Sequence, residues 1–107
     1  MASVNKVILV GHVGKEPIMS ETNSGKTVTK FPLATSEKFK DKEKTTWHNI
    51  VIWGRQAEIA KEFVTKGRLL YIEGRIENRS YLDSEDEKRY ITEIVAQKMQ
   101  FLTSDRE

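Results

Sequence analysis

The chain has 107 residues, no cysteine, and 18 Lys and Arg against 16 Asp and Glu, which leaves a formal net charge of +2. This length suits one domain with a modest core, and the lack of cysteine excludes disulfides and thiolate metal sites. Because the net charge is small, any binding to a polyanion has to come from local clusters of Lys and Arg.

The first predicted element is a long strand in VNKVILVGHVG, where β-branched residues precede glycines that suit a bend. Its apolar run, from Val7 to Val10, is too short to cross a bilayer, and the amino terminus has no signal-peptide core. We therefore expect a soluble intracellular protein that has no membrane partner.

A loop, EPIMSETNSGK, and a second strand, VTKFPLATS, are predicted next. Phe31 and Leu33 lie on one face of this strand, and Pro32 favours an edge or irregular position. The charged stretch EKFKDKEK that follows is predicted to be a polar loop, in which Phe39 is the only large apolar residue.

The third predicted strand, TTWHNIVIWG, contains both tryptophans of the chain. Successive side chains of a strand point to opposite faces, so Trp47 and Trp53 share one face while Ile50 and Ile52 share the other. Both faces are apolar, and two interpretations stay open. Either the isoleucines face the core and the tryptophans are displayed for a ligand, or the strand is packed on both faces.

A short helix is predicted after this strand, on an apolar stripe of four residues: Ile59, Ala60, Phe63 and Val64. Gly67 follows the stripe and is suited to end the helix.

Two strands complete the pattern. RLLYIEGRIENRSY alternates strictly, with four residues sharing one face: Leu70, Ile72, Gly74 and Ile76. LDSEDEK is predicted to be a polar turn and RYITEIVAQKMQF the last strand. Five strands with one helix between the third and the fourth are the layout of the OB-fold, a five-stranded Greek-key barrel. We expect this all-β domain with one short helix to span residues 1–103, and residues 104–107 to be a short C-terminal remnant.

Catalytic and metal-binding patterns are missing from the sequence. GHVGK and SGKT contain phosphate-loop residues, but a Walker A motif needs a glycine where Ser20 stands. The acidic turn after Leu82 misses the spacing of an EF-hand, and such turns are usually just solvated. His48 has no nucleophile or acid at catalytic spacing. We therefore expect neither enzymatic activity nor a cofactor nor a metal site.

Four aromatic residues stand among basic or polar ones: Phe39, Trp47, Trp53 and Tyr81. Aromatic rings stack on bases while Lys and Arg neutralise phosphates, so this combination is typical of proteins that bind single strands of nucleic acid. The alternative is that the tryptophans belong to the core and the other two rings are incidental loop residues. The residues alone favour neither interpretation.

Several segments in order along the chain resemble those of bacterial single-stranded DNA-binding proteins: VNKVILVGHVG, FPLATSEKFKDK, TTWHNIVIWG, KGRLLYIEGRI and RYITEIVA. The resemblance extends from about Val4 to Phe101. It implies an OB-fold that assembles as a homotetramer and wraps single-stranded DNA without strong sequence preference, in replication, repair and recombination. It also implies a bacterial, cytoplasmic and nucleoid-associated protein.

The resemblance further assigns roles to individual residues. The rings that it places against bases are Phe39, Trp47, Trp53 and Tyr81. The cations that it places near phosphates are Lys40, Lys42, Arg55 and Arg79. The residues that it places at subunit contacts are Val4, Lys6, Ile8, Val10 and His48. It also favours the interpretation in which Ile50 and Ile52 face the core and the tryptophans face the ligand.

Some features depart from the family pattern. Glu77 stands where the family carries a basic residue, which weakens that part of the phosphate track. The loop from Lys40 to Thr46 is several residues shorter than in familiar members. The chain stops at TSDRE, without the acidic, Phe-ended tail through which the family recruits other proteins. Replication and repair proteins are therefore expected as partners only if the native full-length chain carries such a tail.

Two other functions stay open. A primosome-type or RNA-binding OB protein would have a similar shape, with less need for four aromatic residues. A scaffolding OB domain would use the aromatic face to bind another protein.

Overall fold

The computed structural model describes residues 2–103, so the expected C-terminal remnant lies outside the described residues. The elements follow in the order β1 (Val7–Val13), β2 (Ile18–Glu21), β3 (Thr27–Phe39), β4 (Lys42–Trp53), α1 (Arg55–Phe63), β5 (Leu69–Leu82) and β6 (Lys88–Phe101). Helix α1, the helix of this described part, is neither long nor apolar enough to cross a membrane.

The strands form one sheet in the order β1-β5-β6-β4-β3-β2, and an additional pairing of β1 with β3 closes it into a barrel. β1 and β2 pair with successive parts of β3, so together they fill one strand position. The neighbours β4 and β6 run parallel where Ile50 meets Ile94 and Val51 meets Val95. The predicted five-stranded OB barrel is confirmed.

Strand β2 lies in the segment EPIMSETNSGK, which the sequence predicts as a loop, so that part of the prediction is wrong. Its four residues are all exposed and lack the apolar alternation that marks a half-buried strand. Pairing with residues 27–30 of β3 holds the segment extended, and the amide of Thr22 donates to the carbonyl of Lys26 at the end of this hairpin. This strand therefore forms through backbone pairing with β3, which the pattern of side chains in the sequence does not reveal.

The charged stretch predicted as a loop is a β-hairpin. β3 and β4 stay paired out to Phe39 and Lys42, and only Lys40 and Asp41 form the turn. Opposite charges face each other across the two strands, Lys38 against Glu43 among them, and such cross-strand pairs stabilise a sheet modestly. We name the exposed outer part of this hairpin the β3–β4 arm. The sequence does not reveal its strands, because the arm is exposed to solvent and carries almost no apolar residue.

The core fills the barrel with side chains from every wall, and its fully buried large residues are Leu33, Ile50, Ile52, Leu70 and Ile72. Helix α1 covers one part of this core through Ala57 and Ala60, with Val64 directly after it. The hydroxyl of Thr29 donates to the carbonyl of Ala57 over 2.7 Å, which ties the helix to β3.

The predicted apolar stripe of the helix is half wrong. Ile59 and Phe63 are exposed, whereas Ala60 and Val64 are buried as expected. Small alanines face the barrel because they let the helix approach closely, a constraint that side-chain hydrophobicity alone does not reveal. The helix ends at Phe63, and the amide of Gly67 donates to the carbonyl of Val13, which anchors the loop on β1.

The alternation predicted in β5 holds only inside the barrel. Leu70, Ile72 and Gly74 are buried, but Ile76 is exposed. The register of β5 with β6 shifts at Glu73 and Gly74, and β1 pairs with β5 only as far as Gly74. The outer ends of β5 and β6, from about Ser80 to Tyr90, are largely exposed and form a second arm, the β5–β6 arm. The alternation of apolar residues in the sequence therefore continues beyond the buried part of β5.

Candidate nucleic-acid interface

The two tryptophans of β4 are displayed on the outside of the barrel. Trp47 is 58% exposed and Trp53 is 43% exposed, while Ile50 and Ile52 are completely buried. The isoleucines therefore face the core and the tryptophans are exposed, as the first of the two interpretations predicts, while a ligand for the tryptophans stays a prediction. Val51 is an exception, because it shares the parity of the tryptophans and is nevertheless buried.

The six-membered ring of the Trp47 indole lies close to the Cα atom of Gly14. A Cβ atom added at position 14 would come within 2.7 Å of the indole Cη2, closer than real Cβ contacts allow. The amide of Gly14 donates to the carbonyl of Pro32 over 2.9 Å, which fixes the backbone under the ring. The indole is thus supported by the barrel wall at Gly14 while more than half of the Trp47 residue stays exposed.

Trp53 lies beside a cavity of about 690 Å³ whose lining includes Lys26, Arg55 and Glu58. Arg55 is exposed, and within residues 2–103 neither it nor Lys26 forms an ion pair. An aromatic ring and two free cations therefore surround one open cavity. We name the surface of Trp47, Trp53, Lys26 and Arg55 the tryptophan face.

The other two predicted rings lie on the arms. Phe39 at the end of the β3–β4 arm is 75% exposed, with the ammonium of Lys40 5.5 Å from its ring centroid and Lys42 opposite it across the strands. Tyr81 on the β5–β6 arm is 45% exposed, and Arg89 lies opposite it on the neighbouring strand. All four rings are accessible, but they occupy separate parts of the molecule.

Arg79 is not a free cation. Its Nε and Nη2 donate to Glu93 over 2.8 and 3.2 Å, and the ammonium of Lys30 lies 3.6 Å from the same carboxylate. The hydrogen bond to Glu93 raises the pKa of Arg79, so the guanidinium stays charged. Sequence reasoning missed Glu93 and Lys30, although a single carboxylate inside the apolar segment ITEIVA was a usable signal.

Asp83, in the acidic turn between β5 and β6, finds its hydrogen-bond partners close by in the sequence. One oxygen of Asp83 accepts from the amides of Glu85 and Glu87, and the other accepts from Nε of Arg89 over 2.9 Å. The bond from Arg89, followed by the two amide bonds, lowers the pKa of Asp83. Within residues 2–103 no group of three or more His, Cys, Asp or Glu is arranged to hold a metal ion.

Two of the residues predicted at subunit contacts, Ile8 and Val10, lie on the outward side of β1, and Val4 and Lys6 lie in the segment just before this strand. We name the surface of these four residues the β1 face. Ile8 and Val10 are exposed, and Lys6 lies 3.6 Å from Glu73 on β5. The hydroxyl of Tyr71 also donates to Glu73, and this bond, together with Lys6, lowers the pKa of that carboxyl.

His48 lies on β4, and its Nε2 is 2.9 Å from the hydroxyl of Thr35. Partial burial lowers its pKa. Glu77, the residue expected to weaken the phosphate track, accepts a hydrogen bond from Arg75 of its own strand.

Comparison with known proteins agrees with this arrangement. The model of the single-strand binding protein family matches residues 4–102. The chain is 50% identical over 105 residues to single-stranded DNA-binding protein 1 of Chlorobaculum tepidum, an alignment that covers 92% of the chain and 65% of that relative. It is 45% identical over 108 residues to the single-stranded DNA-binding protein of Bacteroides thetaiotaomicron, covering 94% of the chain and 67% of that relative. The chain thus spans about two thirds of these curated relatives.

A solved structure of the Plasmodium falciparum SSB complex with ssDNA is also similar. It superposes with a TM-score of 0.84 at 34% identity, and the match covers 96% of this chain and 98% of that one.

Proposed function

The chain belongs to the single-strand binding protein family, and on this premise we propose that it binds single-stranded DNA without strong sequence preference and protects it during replication, repair and recombination. The observation that carries the proposal is the tryptophan face, where β4 exposes two indoles and the cavity beside Trp53 is lined by two cations that form no ion pair within residues 2–103. The relatives' names and the solved complex support the choice of DNA as the ligand.

In the proposed mechanism the rings hold bases and the cations hold phosphates. Phe39, Trp47, Trp53 and Tyr81 each offer an accessible ring, and a stacked base contributes roughly 1–3 kcal/mol. Every base has a π-face, so stacking does not select a sequence. Lys40, Lys42, Arg55 and Arg79 lie beside these rings or on the same arms and would neutralise the phosphates between stacked bases.

The barrel contributes to binding by holding the indole of Trp47 in place against Gly14. Because Trp47 rests on Gly14, its ring does not have to be ordered when a base arrives, and little conformational entropy is lost on binding. We infer that the barrel wall supplies the rigid part of the binding surface and the arms supply the adaptable part.

Self-association is the second part of the proposal. The β1 face exposes apolar side chains beside an ion pair that neutralises its own charges, which suits burial against another copy. A homotetramer built through Val4, Lys6, Ile8, Val10 and His48 fits this surface and the family. If the full-length chain continues into an acidic tail, replication and repair proteins would bind there, at the nucleoid in the bacterial cytoplasm.

A competition titration tests the choice of ligand. We expect an oligo-dT strand to bind much more tightly than duplex DNA of equal length, because paired bases stack on one another and cannot reach the rings. Equal or tighter binding of RNA would favour an RNA-binding OB protein. Binding of neither nucleic acid would contradict the proposal and favour a scaffolding role for the aromatic surfaces.

A further inference from the structure

A groove of about 330 Å³ lies on the barrel wall beside β4, and three cations line it. Lys15 comes from the segment between β1 and β2, Lys30 from β3 and Arg79 from β5. The floor includes Asn49 and Val51 of β4. Neither Lys15 nor Lys30 was among the residues expected to contact phosphate.

One buried carboxylate holds two of these cations in place. Glu93 is only 4% exposed, yet it accepts two hydrogen bonds from Arg79 and lies within ion-pair distance of Lys30. A carboxylate in this position needs its partners, because an unpaired buried charge is strongly unfavourable. The three cations exceed the single carboxylate, so the groove keeps a net positive charge.

The paired cations also keep hydrogen-bonding capacity. A guanidinium has five N–H donors, and Arg79 uses two of them on Glu93. The side chains of Arg79 and Lys30 remain 41% and 44% exposed, so their other donors are accessible from the groove. Lys15 is exposed and forms no ion pair within residues 2–103.

The groove lies between the two tryptophans. Every second residue pair of β3 and β4 points to the side of the tryptophans. On that side the pair of Ala34 and Trp47 is followed by the pairs that contain Asn49, then Lys30, and then Trp53. At roughly 3.3 Å per residue, the six-residue interval between the indoles is about 20 Å. This is longer than one nucleotide, so a strand stacked on both rings has to carry its backbone across the groove.

We propose that this groove is a phosphodiester-binding site, in which Lys15, Lys30 and Arg79 contact the backbone of a single strand as it passes from Trp47 to Trp53. This inference rests on the proposed function and adds its phosphate path on the barrel wall. Glu93 keeps two of the cations directed at the groove, and the tryptophans fix where the strand enters and leaves it.

The test is the salt dependence of oligo-dT binding for wild type and for the double variant Lys15→Gln, Lys30→Gln, followed by tryptophan emission. Each phosphate neutralised contributes about 0.7 to the slope of log K against log salt. We expect the double variant to lower the slope by about 1.4 and to leave the quenching at saturation unchanged. Lys15→Gln alone, which leaves both partners of Glu93 in place, should lower it by about 0.7.

Lys98→Gln is the matched control, because it removes the same charge from an exposed site on β6 opposite Glu73, outside the groove. Its slope should equal that of wild type. Wild type that binds oligo-dT with a slope unaffected by the groove substitutions would overturn the groove alone. Wild type that neither binds nor is quenched would overturn the proposed function and the groove with it.

In a further experiment, inorganic phosphate replaces chloride at equal ionic strength. We expect the same affinity in both salts, because the groove is fitted to a backbone held by two stacked bases. If phosphate weakened binding by wild type but not by the double variant, the groove would be a small-anion site, which would contradict the proposal.

Discussion

The tryptophan face and the β1 face both expose large apolar side chains, but they arrange their charges differently. On the tryptophan face Lys26 and Arg55 form no ion pair within residues 2–103, whereas on the β1 face Lys6 is paired with Glu73. Unpaired cations attract a polyanion over a distance, while internally paired charges produce little external field. We infer that a surplus of positive charge, rather than apolar exposure, distinguishes the surface proposed for DNA from the surface proposed for another copy of the chain.

Apolar exposure alone would have grouped these surfaces together. Ile8 and Val10 are as accessible as the two indoles. Aliphatic side chains, however, have no π-face on which a base stacks, and they gain most when a second apolar surface covers them. The pairing of the charges and the chemistry of the apolar groups therefore point to the same division.

The largest expected effect is on assembly. Ile8→Glu would place an unpaired carboxylate in the proposed subunit contact, so we expect the particle mass to fall from about four times 12.4 kDa to a smaller species. Light scattering at micromolar concentration measures this. Ile18→Glu is the matched control, since this exposed isoleucine lies on β2, outside the β1 face. Wild type that scatters as a single chain would refute assembly.

A smaller effect is expected from Gly14→Ala, which removes the space under the Trp47 indole. The ring should move away and oligo-dT affinity should fall by up to the roughly 1–3 kcal/mol of one stacked base. The melting temperature should change little, because the displaced ring can move into solvent.

A double-mutant cycle isolates this effect. In a Trp47→Ala background the alanine at position 14 has no ring to displace, so it should leave affinity unchanged. An equal loss of affinity in both backgrounds would show that Gly14 acts through the backbone of the barrel and not through the indole.

The contrast between the faces is sharpened by two substitutions that remove one positive charge each. Arg55→Gln on the tryptophan face should lower the salt slope of oligo-dT binding by about 0.7, whereas Lys6→Gln on the β1 face should leave the slope unchanged. Equal effects of the two substitutions would mean that only total charge matters, which would contradict the division between the faces.

The smallest effect concerns pH. Burial lowers the pKa of His48 below its ordinary value of 6.5, so between the two values the unfolded chain binds a proton that the folded chain does not. This contribution to stability is complete above pH 6.5 and is lost as the pH falls below it. Denaturant melts across this range should show the loss in wild type and in His12→Gln but not in His48→Gln. Persistence of the same dependence in His48→Gln would assign it to another group.

The strands that line the core were predictable, and the strands that leave it were not. Strict alternation placed Leu70 and Ile72 inside, and the barrel buries both. β2 and the charged part of the β3–β4 arm are held by backbone pairing and by charges facing each other, which leave no apolar period. The spacing of apolar residues indicates which side chains are buried, so it cannot identify a strand whose side chains are all exposed.

The candidate site was predictable to a similar degree. Residue type identified the four rings, and the structure leaves each of them accessible. The support of Trp47 by Gly14 and the pairing of Arg79 with Glu93 join residues that are distant in sequence. Such contacts are set by the register of strands and by barrel closure, neither of which a local pattern contains.

Stacking on the tryptophan face is tested most directly by the emission of two single-tryptophan variants, Trp47→Phe and Trp53→Phe, as oligo-dT is added. Each variant keeps a ring at both positions and reports from one indole. We expect strong quenching in both, and we expect Trp47→Ala or Trp53→Ala to weaken binding by roughly 1–3 kcal/mol whatever the base composition. Unchanged emission in both variants, at saturating binding confirmed by an independent method, would contradict the stacking role.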